Sequence, residues 1–125
     1  MYPFSKFSSL IDDELKKINF PNSCDSLYDP IKYIIGLEAK RVRPLLLLFS
    51  CKLFKDNIES AISPALGIEL FHNFTLLHDD IMDNASLRRG HMTVHKKWND
   101  NTAILSGDAM LVKSYQLITS VEVKY

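Results

Sequence analysis

Apolar residues at Phe4, Phe7, Ile11, Leu15 and Ile18 recur every three or four positions, the spacing of one helix face. The polar turn formers of "NFPNSCDS", with Pro21 among them, break that period. A short second helix is expected from about Ser26, with Pro30 in its first turn and Ile31, Ile34 and Ile35 facing inward. Pro44 suits the first turn of a third helix, "LLLLFSCKLF", whose apolar arc is so wide that near-complete burial is expected. A fourth, long helix should run from about Ser60 to Asp83, with Pro64 in its opening turn. The following stretch, "NASLRRGHMTVHKKWNDN", has no helical period and many loop formers, which predicts a long connecting loop. Asp100 or Asn101 is placed to cap a fifth helix, roughly Thr102 to Ser120. No alternating β-branched run and no internal repeat appears, so the predicted fold class is all-α, with about five helices.

The length, 125 residues, bounds the chain to one domain at most, residues 1–125, and the balance of fifteen acidic and fifteen basic residues removes any global field. Nucleic acid and anionic membrane surfaces are therefore not expected partners. Cys24 and Cys51 are too few and too far apart for a CxxC site and read as reduced thiols. The N-terminal "MYPFSKFSSL" lacks a signal-type apolar core, and "LLLLF" is far short of the ~20 residues of a membrane span. The expectation is a soluble, cytoplasmic protein with no membrane span.

Local charge carries the chemistry. Asp79, Asp80 and Asp83 fall within "HDDIMD", and at ~100° per residue all three carboxylates crowd one face at the end of the fourth helix. Like charges repel there, and the helix dipole disfavours anions at that end. Such a cluster suits a divalent cation, above all Mg²⁺, which takes one or two carboxylates together with water and substrate phosphates. His72 lies seven residues earlier, on nearly the same side. Arg88 and Arg89 follow within a few residues, and guanidinium forks match phosphate oxygens bidentately. Lys40, Arg41 and Arg43 stand beside the N-terminus of the third helix, where backbone N–H groups also favour an anion. Each group has a blander reading, as a frayed solvated terminus or as surface charge. Two basic sites around one acidic site nevertheless suggest two diphosphates and bound metal. His91 and His95 have the i, i+4 spacing of a zinc pair, but no third ligand accompanies them. Trp98 and the phenylalanines are read as core.

"KRVRP" (Lys40 to Pro44), "HDDIMD" (His78 to Asp83), "RRG" (Arg88 to Gly90), "TVH" (Thr93 to His95) and "GDAML" (Gly107 to Leu111) occur in this order. Together they resemble the trans-type isoprenyl diphosphate synthases, the polyprenyl synthetase family, across roughly residues 30 to 115. The resemblance implies a helical bundle around a deep cavity, and a homodimer in the full-length form. It implies Mg²⁺ on Asp79 and Asp83, with Asp80 beside them. Lys40, Arg43, His72 and Arg89 would hold isopentenyl diphosphate, and Arg88 an allylic prenyl diphosphate. The implied reaction is a prenyl transfer joining the two substrates, and no side-chain nucleophile is required. The prenyl tail is expected to run down the fourth helix, so that Phe74 and Thr75 limit chain length and a short product results.

The chain departs from the family pattern in two places. Glu38 and Ala39 stand where the family usually has two glycines, which adds bulk and a negative charge beside a phosphate site. The family's second aspartate-rich motif has no counterpart here, so the chain reads as an N-terminal portion that is inactive alone. An alternative is a non-catalytic half-bundle that pairs with an active prenyltransferase. A phosphohydrolase built on His78-Asp79 would need an upstream histidine, and none precedes His72. A terpene cyclase shares the aspartates but has no use for basic groups serving a second diphosphate.

Overall fold

A computed structural model describes residues 4–121. Among them are six helices: α1 (Phe4–Lys17), α2 (Asp25–Gly36), α3 (Val42–Phe54), α4 (Glu59–Met82), α5 (Val94–Lys97) and α6 (Asp100–Ile118). A two-stranded antiparallel hairpin, β1 (Leu87–Arg88) and β2 (His91–Met92), lies between α4 and α5, pairing Leu87 with Met92 and Arg88 with His91. The all-α expectation holds, but the predicted loop after α4 contains this hairpin and the one-turn α5. Neither is long enough to show a period in sequence.

The core has two halves, and α4 contributes to both. On one side Leu70 and Leu77 pack with Ile31 and Ile34 of α2, Val94 of α5, and Ala103 and Met110 of α6. On the other, Ala65 and Leu66 pack with Phe7, Ile11 and Leu15 of α1 and Leu45 and Leu48 of α3. A helix covered on two sides needs no single apolar stripe, which is why α4 reads as apolar almost all round. The α4–α6 seam is tight. A Cβ on Gly67 would sit 2.9 Å from the Ser114 carbonyl oxygen, and one on Gly107 would sit 2.6 Å from His78 Nε2.

Four local expectations need correction. Pro30 and Pro64 are each the sixth residue of their helices, past the first turn predicted for them. The carbonyls each leaves without a donor belong to Ser26 and Ser60, both exposed, so water can satisfy them. Helix α6 is capped by Asn99, whose side chain accepts from the Thr102 N–H at 2.8 Å, and not by Asp100 or Asn101; it ends at Ile118, not Ser120. The third helix is not nearly buried: Leu45 and Leu48 are inside, but Leu46, Leu53 and Phe54 are 61%, 81% and 87% exposed. Among the described residues α1 and α4 pack most against α3, and they cover a single stripe of it. Phe4, Phe54 and Phe71, all exposed, depart from the reading of the phenylalanines as core. Cys24 and Cys51 are free thiols, as expected. Among the described residues no helix is long and apolar enough to cross a membrane.

Candidate diphosphate and metal site

The end of α4 solves its dipole problem with backbone geometry. Asn84 takes a left-handed φ of 50°, its N–H bonds the Ile81 carbonyl, and the Ala85 N–H bonds the Asp80 carbonyl at 2.9 Å. This Schellman arrangement satisfies the last carbonyls and turns the chain sharply into the hairpin. Asn84 Oδ1 also accepts from Lys96 Nζ at 2.8 Å, and Thr93 Oγ1 donates to the Ala85 carbonyl at 2.7 Å. The α4 terminus, the hairpin and α5 are thus tied together.

The three aspartates have separate environments. Asp80 is 3% exposed, and both of its oxygens accept from Arg88, from Nε at 2.8 Å and Nη2 at 2.7 Å. That bidentate pair, more than the charges of Asp79 and Asp83, raises Arg88 above the ordinary arginine value. Asp79 and Asp83 are exposed, one turn apart, and no protein cation bonds either carboxylate among the described residues. Among those residues no three His, Cys, Asp or Glu side chains converge on one point. Two free carboxylates on one face are nevertheless a donor set that fits Mg²⁺ when water and phosphate oxygens complete the shell.

Beside them lies an open cleft of about 510 Å³ between the α2–α3 connection, α4 and the hairpin. Lys40, Arg43, His72, Arg88 and Arg89 all line it, and Arg88 also bonds Asp80. Glu38 and Ala39 line it too, so the acidic departure from the family pattern sits inside the cleft. Arg43 Nη1 lies 3.1 Å from His72 Nε2. Arginine has no acceptor, so His72 must accept there and is neutral, with its proton on Nδ1. Burial is the main reason its pKa lies below 6.5, followed by Arg43, with Arg89 and Arg88 adding and Glu69 opposing.

Arg89 is held under strain. It and Gly90 are the two residues of the hairpin turn, with φ of 53° and 75°, as a type I′ turn requires. Asparagine, aspartate or glycine is the usual first residue there, and arginine in this conformation costs roughly 1–2 kcal/mol. Its Nη1 is buried with no hydrogen-bond partner. Burial first, then Arg41, pushes its pKa down from the ordinary value. An anion entering the cleft would supply the missing acceptor and offset both penalties.

Phe74 and Thr75 are both half-buried. Thr75 Oγ1 donates back to the His72 carbonyl at 2.7 Å. Phe74 makes edge contacts with Phe71 and His78, at 5.7 and 4.8 Å between ring centroids, and points toward Gly107 in the α6 seam. Five helical residues place it about 140° around α4 from Asp79, whereas Thr75 shares the Asp79 side. His91 is exposed and His95 buried, so the structure does not bring this pair together as ligands. Trp98 packs at the margin of the core, edge-on to Tyr33.

Sequence reasoning missed a buried network at the floor of the cleft, which Arg41 and Glu69 also line. Arg41 turns away from Lys40 and Arg43 and bonds Glu69 Oε1 at 2.8 Å, Asp12 Oδ1 at 3.0 Å, and the Ile35 and Leu37 carbonyls at 2.6 and 3.1 Å. Asn73 Nδ2 adds a 3.2 Å bond to Glu69 Oε1. The available signal was Glu69 and Asn73, polar residues at i, i+4 inside the apolar run of α4.

The polyprenyl synthetase family profile matches residues 24–125. A geranylgeranyl diphosphate synthase of Methanosarcina mazei is 39% identical over 110 residues, 88% of this chain and 33% of that protein. A short chain isoprenyl diphosphate synthase of Methanocaldococcus jannaschii is 40% identical over 112 residues, 90% of this chain and 34% of that protein. A crystal structure of a geranylgeranyl pyrophosphate synthase superposes with a TM-score of 0.92 at 47% identity, covering 98% of this chain and 37% of that one. The chain spans about a third of the length of the relatives it matches.

Proposed function

The chain belongs to the polyprenyl synthetase family, and from that premise we propose that it is the diphosphate-binding portion of a Mg²⁺-dependent prenyltransferase. The reaction is condensation of an allylic prenyl diphosphate with isopentenyl diphosphate, giving a short-chain prenyl diphosphate. One observation carries this reading: Lys40, Arg43, His72, Arg88 and Arg89 meet in one cleft, where a buried Arg89 N–H lacks an acceptor.

In this reading Asp79 and Asp83 would hold Mg²⁺, which neutralises charge on the departing allylic diphosphate. Asp80 aims Arg88: with Nε and Nη2 committed to the carboxylate, Nη1 is the part of the fork left for that diphosphate. Lys40, Arg43 and Arg89 bind the diphosphate of isopentenyl diphosphate and hold its double bond toward the allylic C1. The C–O bond to the allylic diphosphate breaks, the double bond attacks the resulting cation, and the new chain loses a proton to an oxygen of the released diphosphate. Neutral His72 contributes a hydrogen bond without adding another charge beside Arg43.

Titration with inorganic pyrophosphate in metal-free buffer tests the cleft. We expect saturable binding that Arg89→Met weakens at least tenfold, because a charge-assisted bond to a half-buried fork is lost. Equal affinity in the two proteins would overturn the assignment of Arg89.

A further inference from the structure

Lys40 and Arg43 line the cleft, while Arg41, between them in sequence, is turned into the protein and is 4% exposed. Its φ is 47°, a left-handed conformation that L side chains adopt at a cost, and it precedes the first turn of α3. This single left-handed residue reverses the chain between Glu38–Lys40 and the helix. No side chain caps that turn: Arg41 is itself the N-cap residue, and its side chain makes no capping bond. Of its five N–H groups, four are committed to Glu69, Asp12 and the Ile35 and Leu37 carbonyls. These acceptors lie on α4, on α1, and at the end of and just after α2.

Stability alone is a poor account of this network. Burying an ion pair costs about as much in desolvation as its attraction returns, whereas a planar fork with fixed acceptors defines geometry well. Glu69 and Asp12 together carry two negative charges against the one positive charge of Arg41, so the network adds shape to the cleft and no attraction for an anion. We propose that Arg41 is a positioning residue: its anchorage to Asp12 and Glu69 sets the backbone that presents Lys40 and Arg43 to the diphosphate. This rests on the reading of the cleft as a diphosphate site. It makes the affinity of that site depend on Asp12, a residue of α1 that does not line it.

Charge and positioning predict opposite signs for Asp12→Ala. Removing a negative charge near an anion site should tighten binding if only the field matters. Loosening the Arg41 anchor should weaken it. Calorimetric titration of the whole chain with inorganic pyrophosphate, in metal-free buffer, reads both affinity and stoichiometry. We expect Asp12→Ala to raise Kd two- to threefold, and Arg41→Lys to raise it about tenfold. The lysine keeps the charge but cannot reach acceptors on three sides. Stoichiometry should stay near that of the unsubstituted protein. Tighter or unchanged binding by Asp12→Ala overturns the proposal. So does lower stoichiometry at unchanged Kd in Arg41→Lys, the signature of a purely structural role. If Arg41→Lys does not fold, Asp12→Ala decides alone, since its side chain is substantially solvent-exposed. Failure of the unsubstituted protein to bind pyrophosphate would remove the cleft reading and this inference with it. Binding weakened by Arg89→Met but insensitive to Arg41 and Asp12 would leave the cleft standing and refute only the inference.

Discussion

Replacing Asp80 by asparagine should destabilise the fold, whereas the same change at Asp79 or Asp83 should not. Asp80 is 3% exposed and accepts two short bonds from Arg88, whose side chain is 27% exposed. Hydrogen bonds to charged groups contribute roughly 1.5–3 kcal/mol each. Asparagine keeps one acceptor oxygen, and the partly exposed arginine recovers some hydration, so the net loss should be about 2 kcal/mol. For a chain of this size that is a fall in Tm of roughly 6–8 °C. Asp79 and Asp83 are exposed at the negative end of α4 and repel each other, so neutralising either should shift stability by less than about 0.5 kcal/mol, upward. Thermal unfolding of the three variants, with and without Mg²⁺, separates the roles. Any Mg²⁺-dependent rise in Tm should disappear in Asp79→Asn and Asp83→Asn. In a complete enzyme, Asp79→Ala or Asp83→Ala should lower turnover by orders of magnitude. Equal melting of Asp80→Asn and the unsubstituted protein would refute the distinction. So would a loss at Asp79 as large as that at Asp80.

Truncation of Phe74 to alanine, in an active full-length background, should lengthen the prenyl products, because it removes the ring that reaches Gly107 across the α4–α6 seam; an unchanged product distribution would place the chain-length limit elsewhere. Residues 1–125 as an isolated chain should show no condensation of allylic and isopentenyl diphosphates and should self-associate. The exposed Leu46, Leu53 and Phe54 leave apolar surface open, and a radiolabelled-isopentenyl assay beside light scattering checks both outcomes. His72 has a folded pKa below 6.5, so unfolding takes up a proton between that value and 6.5. Its contribution to stability is therefore full above pH 6.5 and is lost as pH falls through the folded pKa. His72→Gln should flatten the pH dependence of Tm below pH 6.5, and an unaltered slope would show that His72 does not carry it.

Helix existence, the all-α class and several of the residues that line the candidate cleft were legible along the chain because they depend on local periodicity and on short collinear motifs. The inward stripes of α1 and α2, the length of α4 and the order of "KRVRP", "HDDIMD" and "RRG" needed no partner to be seen. Decisions between neighbouring residues of the same type were not legible. Nothing in "KRVR" says that Arg41 turns inward, because its direction is set by Glu69 on α4 and Asp12 on α1, 28 and 29 positions away. Nothing in "DDIMD" says that Asp80 is tied up by Arg88 while Asp79 and Asp83 stay free; that follows from the Schellman turn at Asn84 folding the hairpin back over α4. The exposed stripe of α3 is of the same kind, since an apolar arc states only that covering is favourable. Sequence determined which groups carry charge and which segments coil. Tertiary contacts decided which charges cancel inside the protein and which remain to meet a ligand, because that depends on distances between residues far apart in the chain.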